Sequence, residues 1–298
     1  MTAELRPLPA FEYVAPASLA EALALMQQHG TAAQLLAGGT DLLPRMRMRK
    51  SAPRIVVDLN RIDGLSFIEL RGNNLHIGAG TRLAALHQSR IVAEKAQALA
   101  AALRVMASPA IRNRGTIGGN LCNGSKCADT PPPLLVLDAS LRLQGADGER
   151  MLPLSEFFTR REKPAPGCAK TAIKSDEILT EVIIPCRQGS STYLKLGRRK
   201  GSSIAIASVA ALAAITGGKF EEVRIAVSAV ASAPVRGRKV EAALRGMPAN
   251  EETIASASAL IKDEIEPISD VRGSAAYRRE MASVLVRRAL TRIAIGER

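Results

Sequence analysis

The sequence predicts an α+β protein of two or three packed units, and three observations lead there. Short apolar runs suited to strands alternate with helical stretches through the first 60 or so residues. Glycine-rich bends punctuate that alternation. Toward the C-terminus the texture changes to three strands followed by three helical stretches, which is the order of a compact α+β unit. With 298 residues, 47% of them hydrophobic and 23% charged, the chain is long and apolar enough to bury a core.

Each element has a local cause. Ser18-Leu-Ala-Glu21 is a capping box that opens a helix continuing through Ala22, Leu23, Leu25 and Met26 and stopping at Gly30. Gln34 to Ala37 suits a short strand, which ends at Gly38-Gly39-Thr40. A helical stretch follows over Asp41–Lys50, with Pro44 in its first turn, and Arg54–Leu59 reads as a second strand. This opening is an α+β or α/β pattern. Next come a strand around Leu75–Gly78, the turn Ala79-Gly80-Thr81, and a helical stretch from Leu83 to about Val105, halted at Ser108-Pro109. Ile111–Asn120, rich in glycine and polar residues, reads as a non-helical segment. A short helix is expected at Pro131–Leu137 with Asp129 or Thr130 as its cap, then strands at Leu141–Gln144 and Ile178–Ile184. Arg160–Lys174, with two prolines and a glycine, reads as a long loop or linker. Beyond it, Tyr193–Leu196, Ile204–Thr216 and Glu222–Val230 are expected as strands. Val240–Arg245, Glu251–Lys262 and Ser274–Ile295 are expected as helices.

Composition narrows the function. The net charge is +13, and such a field attracts nucleic acid, an anionic membrane, an acidic protein or an anionic cofactor. The basic residues fall in separated clusters, such as Arg45 to Lys50, Arg198-Arg199-Lys200 and Arg236 to Lys239, as solvated faces do. Aromatic residues make up 3% of the chain and Trp is absent, which weighs against stacking of single-stranded bases. Cys122, Cys127, Cys168 and Cys186 are too few and too uneven for a disulfide framework. His29, His76 and His87 have no metal-ligand spacing, so no metal site is expected. The first residues lack a signal pattern, and the longest apolar run, Ile204–Ile215, is shorter than a membrane span. A cytoplasmic, reduced protein is the expectation.

The chemistry concentrates in two bends, Ala37-Gly-Gly-Thr-Asp41 and Thr116-Ile-Gly-Gly-Asn120. Adjacent glycines let main-chain N–H groups approach a ligand, and amides at a helix start favour an anion such as phosphate. Two such bends can grip a diphosphate from both sides, with Thr40, Thr116 and Asn120 as side-chain donors and Arg112 and Arg114 nearby. The charge of Asp41 opposes an anion unless it points away. Each bend alone also fits a plain tight turn. Neither matches the Rossmann fingerprint, and the chain has no P-loop motif.

Taken in order, several segments resemble the FAD-binding subunits of the xanthine dehydrogenase and carbon monoxide dehydrogenase family of molybdenum hydroxylases. They are Ala37-Gly-Gly-Thr-Asp-Leu42, Ile77-Gly-Ala-Gly-Thr81, Ile111-Arg-Asn-Arg-Gly-Thr-Ile-Gly-Gly-Asn-Leu121, Ala128-Asp-Thr-Pro-Pro132, Asp176-Glu-Ile-Leu179 with Ile184-Pro185, and Tyr193-Leu-Lys-Leu-Gly-Arg-Arg199. The resemblance implies a PCMH-like FAD-binding domain over residues 1–176, in lobes of about 1–58 and 59–176. A small α+β C-terminal domain, 177–298, with a three-stranded antiparallel sheet and helices, would close over the flavin. By the same resemblance Leu35, Leu36, Ala37, Gly38, Gly39, Thr40, Asp41 and Leu42 wrap one side of the pyrophosphate. Thr116, Gly118, Gly119 and Asn120 contact the other side. Asp129 accepts from ribose hydroxyls, Ile178 and Leu179 give apolar contacts around the adenine, and Ala79, Ile111 and Cys122 complete the contact set. Lys195 lies close to the flavin ring and is the residue expected to tune the redox step, since a cation there favours reduced, anionic flavin.

The implied partners are a small [2Fe–2S] subunit, a large molybdopterin-binding subunit and an acceptor that is NAD, oxygen or a quinone. The chain departs from relatives in reading Ser125-Lys-Cys-Ala-Asp129, and it lacks the cysteine-rich insertion with which some relatives hold an extra [4Fe–4S] cluster. Its thiols are expected to be buried or half-buried. Two other classes compete: a polyanion- or nucleic-acid-binding module, suggested by charge alone, and a stand-alone flavin oxidoreductase, which would need its own substrate pocket.

Overall fold

The computed structural model describes residues 7–158, 171–199 and 201–296. The expected loop at 160–174 therefore lies outside the described residues up to residue 170, as does Cys168.

The first lobe is a parallel sheet in the order β1-β3-β2, with β1 at Glu12–Val14, β2 at Ala33–Leu36 and β3 at Ile55–Asp58. Helix α1 (Leu19–His29) starts at Ser18, whose hydroxyl accepts from Glu21 N, while the Glu21 carboxylate accepts from Ala17 N. The Ser18 half of the capping box read from the sequence forms, while Glu21 reaches one residue further back, to Ala17. The helix ends at Gly30 in a positive-φ conformation. Ala22, Leu23 and Met26 turn inward against Ile55 and Val57. Helix α2 (Leu42–Arg47) connects β2 to β3 and is shorter than the 41–50 stretch expected.

The second lobe is a five-stranded sheet, β4-β5-β8-β6-β7, all antiparallel: β4 Ile68–Arg71, β5 Asn74–Gly78, β6 Ser140–Gly145, β7 Gly148–Pro153 and β8 Ile178–Pro185. Strand β8 lies at the centre of this sheet, between β5 and β6. Residues 178–185 therefore belong with the second lobe, and the boundary placed after 176 moves to the C-terminal side of Pro185. The alternation Ile178, Leu179, Thr180, Glu181, Val182 carries no mark of which sheet will take the strand. Its partners are set by packing.

Between β5 and β6 run six short helices: α3 Leu83–Gln88, α4 Arg90–Lys95, α5 Gln97–Val105, α6 Pro109–Arg114, α7 Ile117–Cys122 and α8 Pro131–Val136. The single stretch expected over 83–105 breaks twice. Ser89 caps α4 by accepting from Val92 N, and Ala96 leaves helical angles (φ −137°). The segment expected to be non-helical holds α6 and α7. Ser108 accepts from Ile111 N to start α6 with Pro109 in its first turn, and Thr116 accepts from Gly119 N to start α7. Caps at both starts offset the poor propensity of the glycines. Helix α9 (Leu154–Phe157) closes the described part of this lobe before residue 158.

The third unit is a four-stranded antiparallel sheet, β12-β11-β10-β9: β9 Ser190–Leu196, β10 Ala207–Thr216, β11 Lys219–Ser228 and the two-residue β12 Val235–Arg236. Three of these strands were expected, and β12 adds the fourth. Helices α10 (Arg238–Leu244), α11 (Glu251–Ala259) and α12 (Ala275–Ala294) cover one face through Val209, Ile225, Val227, Leu285, Val286 and Leu290. The opposite face packs on the second lobe, where Tyr193, Ala210, Leu212 and Ala226 enter its core. Arg187, Arg224 and Arg236 all converge on Asp138, at the end of α8, and fix the two units together. Among the described residues, no helix is long and apolar enough to cross a membrane.

Candidate cofactor site

The two glycine bends touch. A Cβ built on Gly38 would collide with the carbonyl oxygen of Arg114 and lie 2.8 Å from Gly115 Cα. Only hydrogen at position 38 lets the first bend reach the end of α6. Gly39 follows in the left-handed region (φ +72°), as a turn from strand into helix requires.

Asn60 locks the first bend from below. Its Nδ2 donates to the Ala37 carbonyl at 2.9 Å and also to Asp58 Oδ1, and its Oδ1 accepts from Arg82 Nη2 at 2.5 Å. Arg82 Nη1 donates in turn to the Arg114 carbonyl, so one guanidinium ties the first lobe to the α6–α7 corner. Partial burial and the neighbouring Arg114 lower the Arg82 pKa. From the other side Asn123 Nδ2 donates to Asp41 Oδ1 at 3.2 Å, which turns that carboxylate toward the end of α7. Asn60, Arg82 and Asn123 escaped the sequence reading. For Asn60 the signal was present as Asp58-Leu-Asn60, a side-chain-bonded turn after a strand.

The bends differ in their free amides. The N–H groups of Gly38, Gly39, Thr40 and Asp41 have no acceptor among the described residues, and those of Asp41 and Leu42 begin α2. In the second bend the four amides after Thr116 are engaged: Ile117 N with Thr81 O, Gly118 N with Ala79 O, Gly119 N with Thr116 Oγ1, and Asn120 N with Thr116 O. Asn120 Oδ1 accepts from Thr130 Oγ1 at 2.6 Å, which leaves its side-chain N–H₂ as the donor. The bends thus present main-chain amides on one side and side-chain groups on the other. Such a donor set suits a diphosphate.

The other expected contacts divide. Leu35 and Leu36 end β2, and Leu42 opens α2, all half-buried beside the bend. Ile111 is exposed on α6. Ala79 packs under Gly118, whose added Cβ would come within 2.7 Å of Ala79 Cβ, so it supports the bend from the interior. Ile178 has no exposed surface and packs in the first lobe's core; Leu179 is buried in the second. Both are enclosed by apolar neighbours in the structure. Cys122 ends α7, and burial pushes its thiol pKa up to about 12, so it is an inert thiol at neutral pH. Cys127 accepts from Arg272 Nη1 at 3.2 Å.

Asp129 and Lys195, expected at opposite parts of the cofactor, are directly paired. Lys195 Nζ lies 2.7 Å from Asp129 Oδ2, and Tyr193 Oη donates to Asp129 Oδ1 at 2.6 Å. All three are nearly enclosed. Burial raises the Asp129 pKa against the lowering effect of Lys195 and Tyr193, and the Tyr193 phenol is pushed well up by burial and by the carboxylate. The loop carrying Asp129 is pinned to the third unit, since Lys126 O accepts from Ala229 N and Ser228 Oγ. Each Asp129 oxygen keeps a lone pair, and Lys195 keeps two N–H bonds, for a ligand. His76 Nδ1 is 2.7 Å from Glu181 Oε1, a pairing within the second sheet.

A parallel lobe and an antiparallel lobe that meet at a bend with open amides, with a third unit packed against them, have the architecture of a two-lobed cofactor-binding protein. Comparison with known proteins gives the family. Residues 9–187 match the FAD binding domain in molybdopterin dehydrogenase, and residues 192–293 match the CO dehydrogenase flavoprotein C-terminal domain. The chain is 35% identical to the carbon monoxide dehydrogenase medium chain of Hydrogenophaga pseudoflava, over 95% of this chain and 96% of that one. It is 32% identical to the glyceraldehyde dehydrogenase medium chain of Sulfolobus acidocaldarius, over 96% and 99%. Among solved structures, a carbon monoxide dehydrogenase from Hydrogenophaga pseudoflava superposes with a TM-score of 0.91 at 36% identity, over 97% of this chain and 99% of that one. The quinoline 2-oxidoreductase of Pseudomonas putida 86 gives the same TM-score at 30% identity, with the same coverage. The chain belongs to the FAD-binding medium subunits of the molybdenum hydroxylase family; it is an oxidoreductase subunit, and its cofactor is FAD.

Proposed function

We propose that this chain is the electron-transfer flavoprotein of a molybdenum hydroxylase. It receives electrons from the [2Fe–2S] clusters of a small partner subunit and delivers them to an external acceptor, while a large molybdopterin-binding subunit carries the substrate chemistry. The observation that carries this reading is the set of open amides at Gly38–Asp41, pressed against the α6–α7 corner in a chain of this family.

FAD supplies the exchange between two-electron and one-electron chemistry that such a relay needs. The chain's own residues bind and orient it. Residues 35–42 hold one side of the diphosphate through main-chain N–H groups. Thr116, Gly119 and the Asn120 amide border the other. Asp129, 2.7 Å from Lys195, accepts from cofactor hydroxyls on the flavin side with the lone pairs that Tyr193 and Lys195 leave. Lys195, held at 2.7 Å from Asp129, places a cation beside the ring. The +13 charge suits docking on an acidic partner.

The test is purification. The chain is expected to be yellow, to release one FAD on denaturation, and to co-purify with an iron–sulfur and a molybdenum-containing subunit. Association should weaken as salt rises. A protein that stays colourless in excess FAD overturns the reading. Lys195→Met is expected to keep its FAD and to lower the flavin reduction potential in a spectroelectrochemical titration; an unchanged potential removes the tuning role.

A further inference from the structure

Among the described residues, the peptide between Ala37 and Gly38 takes its one hydrogen bond from a side chain: Ala37 O accepts from Asn60 Nδ2 at 2.9 Å. We propose that Asn60 is a positioning residue of the cofactor site, which turns the Gly38 N–H toward the diphosphate without touching it. The inference rests on the flavoprotein reading above and adds to it a residue that acts through the bend.

Peptide geometry carries the argument. In a planar trans peptide the C=O and the N–H point to opposite sides. With the Ala37 carbonyl held on Asn60, the Gly38 N–H faces the other way, where it has no acceptor among the described residues. The Gly39–Thr40 peptide is held differently, because Gly39 O accepts from Leu43 N at 3.1 Å, a bond that α2 supplies itself. The two torsions that would turn the Ala37–Gly38 peptide over are ψ of Ala37 and φ of Gly38. Glycine takes φ of either sign at little cost. The residue that lets the bend approach Arg114 therefore leaves this peptide with no preference of its own. Turned over, it would present a carbonyl oxygen to the diphosphate in place of an amide. Asn60 removes that choice.

Asn60 is itself held in one sense. Nδ2 donates to Ala37 O and to Asp58 Oδ1, while Oδ1 accepts from Arg82 Nη2 at 2.5 Å. A flipped side-chain amide would set its oxygen against two acceptors and its N–H₂ against a guanidinium. The partners are anchored in turn. Arg82 Nη1 donates to Arg114 O, and Asp58 accepts from Tyr13 Oη at 2.5 Å and from Asn60 N at 2.9 Å. Orientation fixed before the ligand arrives lowers the cost of binding it.

The experiment uses the full chain, freed of FAD and titrated with it. Affinity is read by flavin fluorescence, and the bend by hydrogen exchange of the peptide spanning residues 36–42. A wild type that takes up no FAD sinks the flavoprotein reading. One that takes up FAD without protecting residues 36–42 leaves that reading standing and sinks this proposal. Asn60→Ala is expected to bind FAD about tenfold or more weakly, with less protection of the 36–42 peptide even at saturation. Asn60→Asp keeps the shape and the acceptor for Arg82 but sets an oxygen against Ala37 O, so at neutral pH it should bind as weakly. Its ionisable neighbours are Asp58, Tyr13, Arg61 and Arg82. As pH falls the new carboxyl takes up a proton and regains a donor, so affinity should recover relative to wild type measured in parallel. Asn60→Ala should show no such recovery. If one variant fails to fold, the other still decides. Wild-type affinity in Asn60→Ala, weakened affinity with full protection of residues 36–42, or no acid recovery in Asn60→Asp each overturns the proposal.

Discussion

The two glycine bends look alike in sequence and behave as opposites in the structure. At Ala37–Asp41 the glycines bring a bend against a neighbouring backbone and leave its amides open. At Thr116–Asn120 the glycines let a helix settle onto Ala79, and the amides of residues 117–120 are consumed in doing so. A glycine pair therefore marks close approach. Whether the approach serves a ligand or the fold is decided by where the N–H groups end up, which depends on residues far away in the chain.

Substitutions can test that division. Gly38→Ala is expected to have the largest effect, because its methyl meets the Arg114 main chain and cannot be accommodated by a rotamer. Overpacking of this kind costs about 1–3 kcal/mol, and here it falls on the cradle itself, so FAD affinity should drop roughly ten- to a hundredfold by fluorescence titration. Retained affinity would make both bends structural. Gly118→Ala should cost a similar amount in stability, read by thermal unfolding of the FAD-free chain, and Ala79→Gly should restore part of it. A loss confined to FAD binding would reverse the assignment. Thr116→Val removes the α7 cap and should cost about 1 kcal/mol of stability in the FAD-free chain.

The smallest effect concerns pH. Desolvation raises the Asp41 pKa, partly offset by Arg45. A raised carboxylate pKa means the folded bend favours the neutral form, so the charge that repels a phosphate is lost on acidification sooner than on an ordinary carboxylate. It fades as pH falls through a value above the ordinary one. Wild-type FAD affinity should rise slightly on mild acidification relative to Asp41→Asn, whose side chain is neutral throughout. Parallel pH profiles would show that Asn123 has already turned that carboxylate out of reach.

Elements with a local cause were legible in the sequence. The Ser18–Glu21 box, the Gly30 stop, and the strands over 34–36, 55–58 and 207–216 follow from capping, periodicity and apolar runs. Helices α6 and α7 were missed because six residues give too little periodicity to outweigh their glycines. The edge strands at 12–14, 68–71 and 148–153 were missed because they bury little and show weak alternation. In the site, the residue types at both bends were legible. The Asp129–Lys195 pair, 66 residues apart, and the Arg272–Cys127 contact, 145 apart, were not, since nothing local encodes a meeting across units.

The central place of β8 has a consequence for how the chain is made. Until residue 185 has emerged, the sheet it completes exists only as two separate hairpins, each with an open inner edge of unpaired N–H and C=O groups. Such edges invite pairing with other chains. A fragment cut at 176 should therefore aggregate where one cut beyond 185 stays dispersed, and a nascent subunit cannot form a complete cofactor domain until its last strand threads between the first two pairs.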